Sequence, residues 1–168
     1  DSVKASAVEK VFIVKMADIV QAGLKAGALD VKAVSGVLNE AVKADVSDRV
    51  MGAMVSMAAG AFPSSAPAVA SAAVRSYGSN IREGHVRNVI ASAVSSQSNP
   101  YASVAPISEA VEKVLGNSPV AAAVSSIAVD VAAQTPDNPL SGETVQGSGL
   151  ASPDEGISEI GRASCRER

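Results

Sequence analysis

Apolar residues recur at three- and four-residue steps in separate segments, and this spacing constrains the fold more than any other feature of the sequence. One set is Val31, Val34, Leu38, Ala41 and Val42, and similar sets occur within 86–94 and 104–115. Each set forms one stripe along a helix, whereas a half-buried strand requires strict alternation of apolar and polar residues. The periodicity therefore predicts an all-α fold of amphipathic helices.

Turn and capping residues divide the chain into units of similar length. Helices are expected to end at glycines such as Gly27 and Gly78. They are expected to begin at Asn99-Pro100 and Ser118-Pro119, because proline is tolerated at the first helical position. Ser6 with Glu9, and Asn80 with Glu83, have the spacing of a capping box. Together these signals predict seven helices, near 6–26, 30–43, 46–61, 65–77, 81–96, 102–115 and 119–134.

Two of these units resemble each other, which raises the question of an internal repeat. The segment Ser71-Ala72-Ala73-Val74 has a counterpart 37 residues later in Ser108-Glu109-Ala110-Val111. Such a period is typical of two-helix solenoid repeats, which bury their apolar faces by stacking. An irregular helical bundle predicts the same helices without repetition. Both architectures, an α-solenoid-like repeat and an irregular bundle, remain open from the sequence.

Composition excludes several classes of function. Ala, Val and Ser make up 80 of the 168 residues, Trp is absent, and Phe and Tyr contribute two each. A chain so poor in aromatic residues has few stacking platforms for nucleotide bases, and a net charge of −3 does not attract a phosphate backbone. We predict no nucleic-acid partner.

The character of the sequence changes after residue 134. The segment Thr135-Pro136-Asp137-Asn138-Pro139 breaks the helical pattern, and Gly, Ser, Pro and acidic residues dominate the stretch from there to Glu159. Such a composition buries too little apolar surface to offset the entropy of the chain. We predict a helical domain at 1–134 and a flexible acidic tail at 135–159.

The last nine residues, Ile160-Gly161-Arg162-Ala163-Ser164-Cys165-Arg166-Glu167-Arg168, differ from all that precedes them. They resemble the translation of a common sequencing-library adapter, and we interpret 160–168 as translated adapter, to be excluded from reasoning about the fold. Residues 1–159 then hold 11 Lys and Arg against 16 Asp and Glu, a net charge of −5, and no cysteine. We accordingly expect the natural C-terminus to lie elsewhere.

No catalytic, cofactor-binding or metal-binding constellation is predicted. His85 is the only histidine, and Glu83, its nearest acidic neighbour, is two residues away and so on a different helical face. We therefore interpret His85 as part of a solvated first turn that Asn80 and Glu83 cap. A role for His85 as a general base is the alternative.

Acidic pairs and a run of methionines also have structural interpretations. Asp45 and Asp48 are expected to serve the N-terminus of the third helix, where the helix dipole favours negative charge. Glu109 and Glu112 are expected to lie on an exposed face. Three methionines at three-residue steps are expected to pack in the core, with an adaptable contact surface as the alternative: Met51, Met54 and Met57.

The longest uncharged stretch, 52–74, is long enough to span a bilayer, but Pro63, Ser64, Ser65 and Pro67 interrupt it. An interrupted helix that faces lipid would leave backbone N–H and C=O groups without hydrogen-bond partners. We predict two helices joined by a Pro-Ser turn and no transmembrane segment.

These observations predict a non-catalytic, all-α module with a structural or protein-interaction role and no cofactor. Its partner would be another protein or a second copy of the chain. The alternative is an amphipathic protein of a lipid or cell-envelope surface, for which the first helix is the best candidate: Phe12, Ile13, Ile19, Val20 and Leu24 lie among Lys10, Lys15 and Lys25. Localisation stays open between the cytoplasm and export, since Asp1 would suit the first residue after a cleaved signal peptide.

Overall fold

The computed structural model describes the backbone of residues 2–136 and the side chains from residue 6 onward. The contacts divide the chain after Val131, and the helices that pack together lie in the unit before this point. The predicted tail, apart from its first two residues, and the segment 160–168 lie outside the described residues. The described part is all-α: α1 (Ser2–Ala26), α2 (Val31–Lys43), α3 (Asp48–Ala61), α4 (Ala66–Tyr77), α5 (Glu83–Ser95), α6 (Pro100–Leu115) and α7 (Val124–Ala133), with 3₁₀ turns at Pro63–Ser65, Gly78–Asn80 and Pro119–Ala123.

The seven predicted helices are confirmed, with small differences at the helix ends. The predicted interruption of the uncharged stretch 52–74 is confirmed as well. The first helix begins at Ser2, so Ser6 lies inside it and the predicted capping box of Ser6 with Glu9 is wrong. The last predicted helix divides into a 3₁₀ turn, where the Ser118 hydroxyl accepts from the Val120 N–H, and the shorter α7. Pro63–Ser65 forms the expected turn between α3 and α4.

The helices are arranged in two layers. Within the set α1 to α6, each helix packs against the next helix along the chain and against the next but one. Therefore α1, α3 and α5 form one layer and α2, α4 and α6 form the other. This pattern is that of an α-solenoid, in which each unit contacts only its neighbours along the chain. The core lies between the layers, and its largest fully buried side chains are Met16, Leu38, Met51, Met54, Ile90 and Ile107; Ile127 is fully buried on α7.

Hydrogen bonds between helices that are two apart along the chain join residues 36 to 43 positions apart. The Ser56 hydroxyl donates to the Ser92 carbonyl, 36 residues away, and the Asn88 side chain donates to the Asp48 carbonyl, 40 residues away. Between α5 and α7, Arg87 donates to Asp130, 43 residues away, at 3.1 Å. These separations are close to the 37-residue period of the sequence repeat, whose two copies lie on the adjacent helices α4 and α6.

Glu9 provides the corresponding link between α1 and α3. Its carboxylate accepts from the Ser47 N–H at 2.8 Å, directly before α3 begins. That hydrogen bond holds the pKa of Glu9 below its ordinary value of 4.5. Because the folded-state pKa is lowered, the contribution to stability is present above pH 4.5 and is lost as the pH falls through the folded pKa.

We therefore expect Glu9→Gln to have a lower melting temperature than the wild type at pH 7. The difference should shrink as the pH falls through the folded-state pKa, because the protonated carboxyl resembles the amide. Thermal unfolding followed by circular dichroism at pH 7, 5 and 3 measures it. A difference of equal size at all three values would contradict the role of the charged carboxylate.

Candidate functional site

A polar groove of about 750 Å³ lies where the α2–α3 turn meets the α4–α5 turn. The residues before and at the start of α3 form one wall, and the end of α4 and the start of α5 form the other. Its polar lining includes Asp45, Ser47, Asp48, Tyr77, Arg82 and His85, and its apolar lining Val42, Val46, Met51 and Ile81. The solenoid places these two turns side by side, although they are more than 30 residues apart along the chain.

His85 makes one hydrogen bond in the groove, through Nδ1, while Nε2 faces Asp48. The Arg82 backbone N–H donates to Nδ1 at 3.2 Å, and Nε2 lies 4.0 Å from an Asp48 carboxylate oxygen. Since Nδ1 accepts a hydrogen bond, the neutral imidazole carries its proton on Nε2, facing Asp48. In this arrangement Nε2 is a donor, which does not favour a role as general base.

The predicted solvated first turn is confirmed, since Glu83 and Gly84 are exposed, but the predicted capping by Asn80 and Glu83 is wrong. Helix α5 begins at Glu83, Arg82 is its N-cap residue, and Asn80 belongs to the preceding 3₁₀ turn. The imidazole of His85, whose side chain is 12% exposed, takes the capping role that the sequence pattern assigned to a carboxylate. An imidazole three residues after the N-cap is an unusual capping group, and the sequence pattern contains no signal for it.

Tyr77 stacks on His85, with ring centroids 4.0 Å apart and an angle of 8° between the ring planes. The residue is 9% exposed, and its hydroxyl is buried without a hydrogen-bond partner among the described residues. Burial, and then the negative charge of Asp48, raise the pKa of Tyr77 to about 12. Tyr77 is not among the residues singled out from the sequence, because its neighbours in the groove belong to other helices.

Of the two aspartates, Asp48 lies in the first turn of α3, as predicted, while the Ser47 hydroxyl caps the helix by accepting from the Val50 N–H. Asp45 has a different role. It lies in the turn before α3 with φ of 55°, and it is the only non-glycine residue with a positive φ in the described part of the chain. Only a few residue types tolerate this conformation, and aspartate is one of them.

The remaining candidate residues from the sequence lie away from the groove or in the core. Glu109 and Glu112 are exposed on α6, as predicted. Met51 and Met54 are buried, which confirms core packing for both, and Met57 is half-buried. In the part of the chain that the structure describes, no three His, Cys, Asp or Glu side chains come together as metal ligands.

A second surface feature is the outer face of α1. Phe12, Met16 and Val20 bury the opposite face against the rest of the fold. On the outer face the exposed fractions are 42% for Val8, 50% for Val11 and 57% for Val14. We call these three residues the valine stripe. Valine has few rotamers to lose on binding, so such a stripe is suited to contact with a partner.

An unpaired buried hydroxyl costs free energy of folding, and this gives a direct test of the groove. We expect Tyr77→Phe to raise the free energy of unfolding by about 1 kcal/mol, because the ring stays and the unsatisfied hydroxyl is removed. Urea denaturation measures the change. Ser56→Ala is the control: its hydroxyl donates to the Ser92 carbonyl of α5 at 3.0 Å, so its removal breaks a hydrogen bond between two helices and should destabilise the fold. A clear loss of stability in Tyr77→Phe would show that the hydroxyl has a partner.

The comparisons with known proteins give no family, curated protein or solved structure that matches this chain. Within residues 2–136, none of the helices combines the length and the apolar character that crossing a membrane requires. Any functional conclusion therefore rests on the groove and on the outer face of α1.

Proposed function

We propose that this chain is a non-catalytic helical-repeat module that binds another protein through the outer face of α1. The valine stripe carries the proposal. It presents three adjacent apolar side chains to solvent on a helix whose other face is fixed by the core. Apolar side chains that are clustered and exposed are typical of surfaces that contact another molecule.

The charges around α1 support a protein partner. Lys15, which lies beside the stripe, donates to a Glu40 carboxylate oxygen at 3.1 Å and lies 5.5 Å from the centre of the Phe12 ring. These contacts engage the lysine within the fold. A protein surface with a matching apolar ridge and a polar rim would complete such a face.

A lipid surface is the second candidate, because Lys10 and Lys25 are exposed on the same helix. The larger apolar side chains that would enter a membrane are less accessible. Phe12 and Val20 are buried, and of the apolar residues named from the sequence only Leu24 is exposed, at 53%. Membrane insertion would require α1 to leave the core, at the cost of the buried area that holds it there.

Site-specific photo-crosslinking distinguishes the two candidates. A photoreactive phenylalanine derivative at Val11 should give discrete protein adducts in the cells that express the chain, and the adducts should be lost when Val14→Asp is added. The same derivative at Ala53, exposed on α3, is the control and should give none of these adducts. Adducts to lipid, or protein adducts that survive Val14→Asp, would overturn the proposal.

Vesicle co-sedimentation provides the complementary measurement. With vesicles of phosphatidylcholine and phosphatidylglycerol at a molar ratio of 4:1, we expect the protein to stay in the supernatant. Binding that is lost in the double variant Val11→Asp, Val14→Asp would favour the lipid surface instead. Lys32→Asp, an exposed change on α2, is the control for a general effect of added negative charge.

A further inference from the structure

The start of α5 is capped by a side chain that can change its charge near neutral pH. Arg82 is the N-cap residue, but its guanidinium has only N–H donors and cannot accept from the first turn of the helix. Nδ1 of His85 instead accepts from the Arg82 backbone N–H at 3.2 Å. This hydrogen bond joins the residue before α5 to the first turn of the helix. It requires a neutral imidazole, because both ring nitrogens are donors once the ring is protonated.

Gly84 leaves the first turn of α5 dependent on that hydrogen bond. Its φ is not among the positive values of the described chain, and a Cβ atom at this position would have no heavy atom within 4 Å. Neither the backbone nor the packing therefore requires a glycine here. Since glycine is the poorest helix former after proline, the first turn has little intrinsic stability of its own.

Asp48 offers His85 a different partner at its other ring nitrogen. Nε2 lies 4.0 Å from Oδ1 of Asp48, too far for a hydrogen bond but close enough for an ion pair. The ring also stacks on Tyr77, and a cation is attracted to the face of an aromatic ring. Both interactions are stronger with a charged imidazole, whereas the hydrogen bond at Nδ1 exists only with a neutral one. The two protonation states of His85 therefore have different partners.

His85 is the only histidine of the chain, and histidine is the side chain that ordinarily changes its charge between pH 8 and 5. The other ionisable groups that line the groove or precede His85 in α5 are Asp45, Asp48, Tyr77, Arg82 and Glu83. Helix α6, which also packs against α5, contributes no residue to the groove. Carboxyl groups ordinarily titrate below about pH 5, and tyrosine and arginine above about pH 9. A change in the groove between pH 8 and 5 can therefore be assigned to His85.

We propose that His85 is a pH-sensitive switch at the start of α5, capping the helix when neutral and pairing with Asp48 when protonated. Protonation by solvent turns Nδ1 into a donor, so the hydrogen bond from the Arg82 N–H is lost. The released ring then turns until Nε2–H donates to the Asp48 carboxylate. The first turn of α5 loosens from the residue before it, while a new ion pair joins the helix to α3. The switch uses no residue of α1 and is independent of what the valine stripe contacts.

NMR spectroscopy of the full chain between pH 8 and 5 tests the switch. At pH 8 the ¹⁵N signals of the ring should show the proton on Nε2. The Arg82 amide proton should move upfield with the same midpoint as the ring signals. The Val86 amide, which donates to the Arg82 carbonyl at 3.1 Å, should lose about fivefold of its protection from hydrogen exchange, the size expected from one hydrogen bond. A proton on Nδ1 at pH 8, or an Arg82 signal that does not follow the ring, would overturn the proposal.

His85→Gln keeps a side-chain acceptor that does not titrate, so its Arg82 amide signal should stay in place from pH 8 to 5. An Arg82 signal that still moves in this variant would assign the change to another group and overturn the switch. Because His85→Gln also removes the ring that stacks on Tyr77, a second variant leaves the ring in place.

Asp48→Asn is that second variant, and it tests the partner of the protonated ring. At pH 5 the Nε2 proton of the wild type should be protected from exchange with water by Asp48, and this protection should be lost in Asp48→Asn. Asp45→Asn removes the other exposed carboxylate of the groove and is the control, which should keep the protection. Equal loss in both variants, or no loss in Asp48→Asn, would overturn the pairing with Asp48.

Gly84→Ala tests whether the first turn depends on the cap. At pH 5 the Val86 amide of this variant should be about as protected as that of the wild type at pH 8, because helix propensity replaces the lost hydrogen bond. The Arg82 amide signal should still follow the ring. Protection of Val86 at pH 5 that does not exceed the wild-type value would overturn the loosening of the first turn.

Discussion

Gly52→Ala should lower the free energy of unfolding by about 1–3 kcal/mol, although it replaces the poorest helix former after proline with the best one. Gly52 is buried on α3 where that helix meets α5. A Cβ atom at this position would lie 2.6 Å from Oγ of Ser92 and 3.1 Å from Oδ1 of Asn88. Both distances are shorter than normal van der Waals contact, so the neighbouring side chains have to move.

The movement affects hydrogen bonds that join the two helices. Nδ2 of Asn88 donates to the Asp48 carbonyl at 2.8 Å, and the Ser92 carbonyl accepts from the Ser56 hydroxyl at 3.0 Å. Rotation of the short Ser92 side chain relieves part of the clash. Displacement of Asn88 relieves the rest and lengthens its hydrogen bond. Urea denaturation followed by circular dichroism measures the loss.

The matched control is Gly36→Ala on α2. Gly36 is exposed within the helix, and a Cβ atom there would have no heavy atom within 4 Å. The same substitution should therefore raise the free energy of unfolding by about 0.5–1 kcal/mol through helix propensity alone. If Gly52→Ala and Gly36→Ala are stabilised to the same extent, α3 and α5 do not approach as closely as the short distances around Gly52 indicate.

The positions of the helices could be predicted because the residues that indicate them lie close together along the chain. The apolar stripe of α5, for example, needs only the spacing of Val86, Val89, Ile90 and Ala93, all of which are buried. The helix ends at Gly27 and Gly78 were equally local, since a positive φ at the end of a helix favours glycine. Such features depend on a few consecutive residues, and the sequence contains them in full.

The groove was not predictable, because its members meet only through the packing of α3 against α5. Tyr77 stacks on His85 across the turn between two helices, and Asp48 comes from a third. His85 itself was noticed as the only histidine, but the pattern around Glu83 suggested a solvated turn. The choice between solenoid and bundle had the same difficulty, since both predict identical helices and differ only in which of them touch.

The two-layer arrangement has a consequence for how the protein unfolds. In a solenoid each unit contacts only its neighbours, so a local loss of stability need not spread along the whole array. In an irregular bundle with one shared core, a cavity anywhere weakens every helix. Large-to-small substitutions at opposite ends of the chain distinguish these two behaviours.

Ile107→Ala on α6 should lower the free energy of unfolding by about 2–5 kcal/mol, because Ile107 is fully buried against neighbouring helices. In native-state hydrogen exchange, the amides of α6 should lose protection first, while those of α1 and α2 keep theirs. Leu38→Ala on α2 is the matched substitution at the other end, and it should expose the amides of α1 and α2 while α6 stays protected. α6 packs against α4 and α5, whereas α2 packs against α1 and α4, so the two cavities have only α4 in common. Uniform loss of protection in both variants would mean that the helices behave as one cooperative core and not as a stack of repeats.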